Sequence, residues 1–97
     1  MKAIFIAFNQ AYNEEIVELL EDNGQRGFTR WNDILGRGSN DGEAHFGNHA
    51  WPTMNHAILT IVESDKVEPI LKDLKKMDEE YHDLGLRAFV WNVEEAL

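Results

Sequence analysis

Two rhythms of apolar residues alternate along this chain, a short strand-like one and a longer one of helical period. The run Met1-Lys-Ala-Ile-Phe-Ile-Ala-Phe8 is apolar and rich in strand formers. It predicts a first strand covered on both faces, or on one face and by a subunit contact. Asn9 and Gln10 end it. Ile16, Val17, Leu19 and Leu20 then recur at helical spacing. Asn13 is expected to cap that helix, Glu14 and Glu15 suit the positive end of its dipole, and Gly24 supplies a left-handed stop. Phe28 to Leu35 predicts a second strand, weakened by Asn32 and Asp33. From Gly36 to Pro52 the rhythm fails: Gly36, Gly38, Gly42, Gly47 and Pro52, with Ser, Asn and Asp between them, leave no room for a sustained element. A loop of that length in a small domain is usually functional or disordered.

Asn55 to Val62 predicts the third strand, centred on Ile58, Leu59, Ile61 and Val62. Ser64 or Asp65 is expected to open a second helix. Its apolar face (Val67, Ile70, Leu71, Leu74, Met77, Tyr81) runs on to an end near Gly85. Pro69 is tolerated only in a first turn, which moves the true start a residue or two past Ser64. Arg87 to Val93 predicts the last strand, with Phe89, Trp91 and Val93 on one side and Ala88 and Val90 on the other.

Strand–helix–strand, twice, within one domain of residues 1–97 gives an α+β, ferredoxin-like βαββαβ sandwich. A four-stranded antiparallel sheet carries both helices on one face. The second face needs a cover, and Trp31 and Leu35, or their neighbours in the alternate register, are candidates for burial against another copy. The composition adds to this expectation. A chain of 97 residues buries only about 60–65% of its unfolded surface, so its core is thin and association helps it. Three tryptophans and five phenylalanines supply large apolar surfaces for sharing.

Charge and cysteine content exclude several functions. Eighteen acids against nine bases give a net charge of −9, which repels phosphate backbones and anionic membranes. No nucleic-acid partner and no membrane insertion are expected. Lys72, Lys75 and Lys76 cluster, but Asp73, Asp78, Glu79 and Glu80 surround them in a solvated helix face. The lack of cysteine removes disulfides, thiolate metal sites and cysteine nucleophiles. No apolar run approaches the roughly 20 residues of a membrane span. Met1–Phe8 lacks the basic flank and small-residue cleavage site of a signal peptide, so a cytoplasmic protein is expected.

The segment Glu18-Leu-Leu-Glu-Asp-Asn-Gly24-Gln-Arg-Gly27-Phe28-Thr29, followed by Gly36-Arg37-Gly38, resembles the PII family of signalling proteins. There a helix ends in glycine, a Gly-Phe-Thr turn starts the second strand, and Gly-Arg-Gly opens a long loop. Specific matching covers about the first forty residues; beyond them the likeness is one of topology. The resemblance implies a homotrimer with its sheets facing inward and a loop that reaches a regulated transporter or enzyme. It also implies adenine nucleotide binding in the clefts between subunits, at the base of the loop, at a glycine-rich turn before the last strand and at a C-terminal segment. Here that turn reads Tyr81-His-Asp-Leu-Gly-Leu-Arg87 and the last strand lies near Leu97, so ATP binding in the family manner is not expected. Residues 36–52 contain no tyrosine and so no acceptor for the family's uridylylation. CutA-type proteins are the next nearest resemblance.

Candidate ligand-binding residues are Gly36, Arg37, Gly38, Trp51 and Arg87. Arg37, between glycines, and Arg87 can each hold a phosphate or carboxylate. Trp51 can stack on a ligand, or anchor the return of the loop to the sheet. Glu43, His45 and His49 lie within seven residues and offer nitrogen and oxygen ligands to Zn²⁺ or Cu²⁺; an exposed loop can equally carry histidines that bind nothing. His56, on a strand, is expected in the hydrogen-bonded core. No nucleophile elbow, catalytic triad or phosphate-binding loop occurs, so a sensor that binds a small ligand or metal is expected rather than an enzyme. The alternatives are a CutA-like metal-binding protein, or an isomerase using a loop histidine as base.

Overall fold

The apolar run at the start of the chain becomes β1 (Lys2–Asn9), an inner strand of a four-stranded antiparallel sheet. The computed structural model describes residues 1–37, 44–47 and 53–97. After β1 come a 3-10 turn (Gln10–Tyr12), α1 (Asn13–Asp22) and β2 (Thr29–Ile34). Two short strands follow, β3 (Gly36–Arg37) and β4 (Ala44–His45), and then β5 (Asn55–Val62). A second 3-10 turn (Ser64–Lys66) leads into α2 (Val67–Glu80), and β6 (Arg87–Asn92) closes the order. The sheet runs β2-β5-β1-β6, while β3 and β4 pair separately as a ribbon. This is the expected ferredoxin-like arrangement, in which the two central strands are the two most apolar segments of the chain.

Period two divides the sheet cleanly. Ile4, Ile6 and Phe8 of β1 lie opposite Thr60, Ile58 and His56 of β5. The apolar members of that face join Ile16, Leu19 and Leu20 of α1 and Ile70 and Leu74 of α2 in the buried core, closed at one end by Leu84. The opposite face carries Ala3, Phe5 and Ala7, paired on one side with Ile61, Leu59 and Ala57 and on the other with Trp91, Phe89 and Arg87. No helix covers it. Trp31, Ile61, Phe89 and Trp91 are exposed there at 47%, 41%, 57% and 49%. Leu35 is exposed as well.

Local details depart from the sequence reading at two places. Asn13 is the first residue of α1, not its cap, and its Oδ1 accepts from Arg30 Nη1 at 3.3 Å. The capping asparagine is Asn9, whose Oδ1 accepts from Ala11 N–H at 2.9 Å and so starts the 3-10 turn that leads into α1. The second helix ends at Glu80 because Tyr81 adopts an extended backbone; residues 81–86 then form a turn in which Gly85 takes a left-handed φ of +60°. Its start at Val67 puts Pro69 in the first turn, where no intrahelical partner is lost.

Asn32 and Asp33 weaken the second strand for a structural reason. Trp31 pairs with Ala57 and Ile34 with Asn55, so two residues of β2 face the single His56. This is a β-bulge, and Asp33 sits in it at φ 54°. The Asp33 N–H donates to His56 Nδ1 at 3.3 Å. His56 is therefore half-buried beside the bulge, with its ring edge-on to Phe8 at 6.2 Å, and is not fully in the core.

Gln25 joins α1 to the sheet. Its side-chain nitrogen lies 2.8 Å from Thr60 Oγ1, 3.0 Å from the Gly27 carbonyl and 3.1 Å from the Ile61 carbonyl. Thr60 in turn donates to the Gly27 carbonyl at 2.6 Å. Gly27 thus serves through its carbonyl, not through a left-handed backbone. An open cleft of about 290 Å³ lies beside this junction, lined by Gln25, Gly27, Phe28, Thr29, Leu59 and Ile61.

Candidate functional site

The chain leaves the sheet after the β2 bulge as the ribbon β3–β4, with Gly36 opposite His45 and Arg37 opposite Ala44. Two residue pairs cannot hold a ribbon by themselves. Side chains from β5 and from the turn before β6 supply the rest. His45 is 3% exposed. Its Nδ1–H donates to Asn55 Oδ1 on β5, a partner that is itself buried. The other amide atom of Asn55 approaches Gly36 so closely that a Cβ there would lie 3.2 Å from it. One asparagine therefore sits between both strands of the ribbon. Arg37 stays exposed, its guanidinium 5.8 Å from the centre of the Phe46 ring, a spacing that permits a cation–π contact.

The turn before β6 packs against the Cε1 edge of the same imidazole, next to the Nδ1 that faces Asn55. A Cβ at Gly85 would come within 2.8 Å of His45 Cε1, and the φ of +60° independently disfavours a side chain there. The turn is also clamped from β1. Asn9 N–H donates to the Leu84 carbonyl at 2.8 Å, and Asn9 Nδ2 to the Asp83 carbonyl at 3.1 Å. Tyr12 donates its hydroxyl to the Asp83 carboxylate, and its ring lies 5.0 Å from that of Tyr81.

The Asp83 hydrogen bond favours the neutral phenol, and partial burial adds to it, so the Tyr12 pKa rises from 10.0 to about 12. A group raised in the folded state contributes stability that is complete below pH 10 and is lost as pH climbs toward 12. Asp83→Asn is expected to bring the Tyr12 ionisation step down toward the ordinary phenol value. Phenolate absorbance during alkaline titration reads this directly; an unmoved upper step would mean that Asp83 is not its cause.

The sequence candidates are thus only partly gathered. Gly36, Arg37 and His45 share the ribbon, and Arg87 opens β6 on the uncovered face, opposite Ala7. Gly38, Glu43, His49 and Trp51 lie outside the described residues. Among the described residues no three His, Asp or Glu side chains converge as metal ligands. His45 serves as a buried packing and hydrogen-bonding group, not as an exposed loop imidazole. Sequence reading passed over Asn9, Asn55, Tyr12, Asp83 and Gly85. The available signal was an asparagine at the end of β1 and another at the start of β5, which pair in register.

A family model for nitrogen regulatory protein P-II matches residues 1–97. The chain belongs to the P-II family. None of the curated proteins matches it significantly. Among solved structures, a nitrogen regulatory PII-like protein of Thiomonas intermedia, CPII, bound to ADP, AMP and bicarbonate, is similar to it with a TM-score of 0.74 and 20% identity. The match covers 97% of this chain and 88% of that one. The apo form of the same protein gives a TM-score of 0.68 at 20% identity, over 95% of this chain and 89% of that one. A putative PII-like signalling protein of Thermus thermophilus gives a TM-score of 0.68 at 24% identity, over 95% and 84%. The two helices and four-stranded antiparallel sheet of this chain match the PII ferredoxin-like fold. Among the described residues no helix is long and apolar enough to cross a membrane.

Proposed function

We propose that this chain is a regulatory sensor that binds by contact alone and catalyses nothing. It works in the cytoplasm as a homotrimer, takes a small adenine nucleotide at the subunit clefts, and signals through residues 36–52 to a transporter or enzyme. The observation that carries this reading is the meeting of the ribbon and the turn before β6 at one buried imidazole. In PII proteins those two elements are the ones that border the nucleotide. The uncovered apolar sheet face supports the trimer, since an exposed patch of such size in a small domain is unusual unless it is covered. The cleft lined by Phe28, Thr29 and Leu59 beside β2 offers an apolar wall for a base.

The turn also narrows the ligand. Between residues 81 and 87 there is a single glycine, and the turn carries the Asp83 carboxylate and is clamped to β1. A triphosphate meets more repulsion there than a mono- or diphosphate. CPII, with its bound ADP, AMP and bicarbonate, offers a chemical parallel. A zinc or copper ion on residues 36–52 forms no part of this proposal, because the described ring of His45 faces Asn55 and Gly85 instead.

Calorimetry with AMP, ADP and Mg·ATP, each with and without bicarbonate, tests the reading. AMP or ADP is expected to bind more tightly than Mg·ATP by at least about tenfold, or roughly 1.4 kcal/mol. Tighter binding of Mg·ATP would overturn the selectivity, and no heat with any of the three would remove the nucleotide altogether.

A further inference from the structure

The chain leaves the sheet after β2 through the ribbon β3–β4, too short to sustain itself, yet one of its side chains is among the most deeply buried polar groups of the described residues. We infer that His45 is a strut that makes the ribbon and the 81–86 turn move as one body, so that a displacement of the turn is transmitted to the root of the loop. Three observations support that role. Its ring is 3% exposed although it belongs to a two-residue strand. One side of the ring is fixed to the sheet through Asn55 Oδ1. The adjoining Cε1 edge abuts Gly85, where an added Cβ would lie 2.8 Å away.

The turn has its own anchorage to β1 and to the 3-10 turn, through Asn9 and Tyr12. The ribbon's side-chain anchorage runs through the imidazole and Asn55, beside a backbone bond from the Gly47 N–H to the Thr53 carbonyl at 3.1 Å. Close-packed contacts of this kind transmit displacement, because they have no slack to absorb it. The inference deepens the proposed function and rests on it for the ligand's identity. The strut itself operates with or without a ligand.

Hydrogen exchange on the full chain, followed by mass spectrometry, tests the strut as a double-mutant cycle of Gly85→Ala and His45→Ala. In the His45 background the added Cβ must displace the ring. Exchange at residues 44–46 is then expected to quicken roughly tenfold, within the coupling range of side chains in contact, while β1 and β5 stay protected. In the His45→Ala background the space is already open, and Gly85→Ala should add less than about twofold. The backbone strain at φ +60° is common to both backgrounds and cancels. Equal acceleration in the two backgrounds, or none at residues 44–46 in either, overturns the inference. Should Gly85→Ala also loosen β1 and β5, Gly85→Asn replaces it in the cycle, since asparagine tolerates left-handed backbone and carries the same Cβ.

ADP supplies the second arm. On binding, the wild type should gain protection at both the turn and the ribbon, and His45→Ala at the turn alone. Ribbon protection that survives in His45→Ala refutes transmission through the ring. A wild type that binds no ADP refutes the proposed ligand, and the double-mutant cycle then decides the strut by itself.

Discussion

Phe89→Asp is expected to convert the proposed trimer into folded monomers. Phe89 lies opposite Phe5, which in turn lies opposite Leu59, so the three form the central row of the uncovered sheet face. In the isolated protomer Phe89 is 57% exposed and the helix-side core does not depend on it. A carboxylate there costs the protomer little. In an assembly that buries this face, the same carboxylate must lose its water without a partner, and an aromatic anchor is lost with it. The penalty should resemble that of a hot-spot residue, roughly 2–4 kcal/mol per interface. Sedimentation equilibrium with far-UV circular dichroism separates the two states: native secondary structure at one-third of the mass is the expected result. A trimer that persists in Phe89→Asp would place the interface elsewhere. A wild type that sediments as a monomer at micromolar concentration would remove the intersubunit cleft, and with it the proposed nucleotide site.

The other large effect is on the fold itself. Phe8→Ala empties a fully buried position between the sheet and both helices. Such truncations cost about 3–5 kcal/mol, a large part of the 5–15 kcal/mol that holds a typical domain together. For a domain of this size the melting temperature should fall by roughly 15 °C or more. His56→Ala is the instructive contrast. Sequence reading places His56 in the core, but the bulge leaves it half-buried, bonded to one backbone N–H and edge-on to Phe8. Its loss should cost only about 0.5–1.5 kcal/mol, the ordinary net value of one hydrogen bond. Calorimetric melts of the two variants decide this; equal losses would mean that the His56 ring carries core weight after all.

The fold was legible because its signals are periodic. Ile4, Ile6 and Phe8 alternate, Ile16, Leu19 and Leu20 repeat on a helix face, and Asn55–Val62 is the observed β5 to the residue. The glycines flanking α1 and opening the loop were specific enough to indicate the family. The site was less legible, because what decides it is tertiary. His45 and His56 look alike in sequence: one lies in a glycine-rich stretch, the other on a strand. Their exposures are the reverse of what that suggests, because Asn55 and Gly85 enclose the first and the bulge opens space around the second. Asp83 reads as an ordinary helix-end acid until Tyr12, seventy-one positions away, is brought to it.

The bulge at Asp33 also acts as a phase shifter. Before it, Trp31 shares a face with Ala57; after it, Ile34 shares that same face with Asn55, so odd positions hand the face over to even ones. Leu35 is thereby turned away, and Gly36 is set against the Asn55 amide. Insertions and deletions during divergence should therefore be tolerated very unevenly along this stretch. Residues gained or lost between Arg37 and Ala44 leave the phase untouched. One residue more or fewer between Trp31 and Ile34 inverts the side on which every later side chain of the ribbon emerges, and replaces Gly36 beside Asn55 with a residue whose Cβ does not fit.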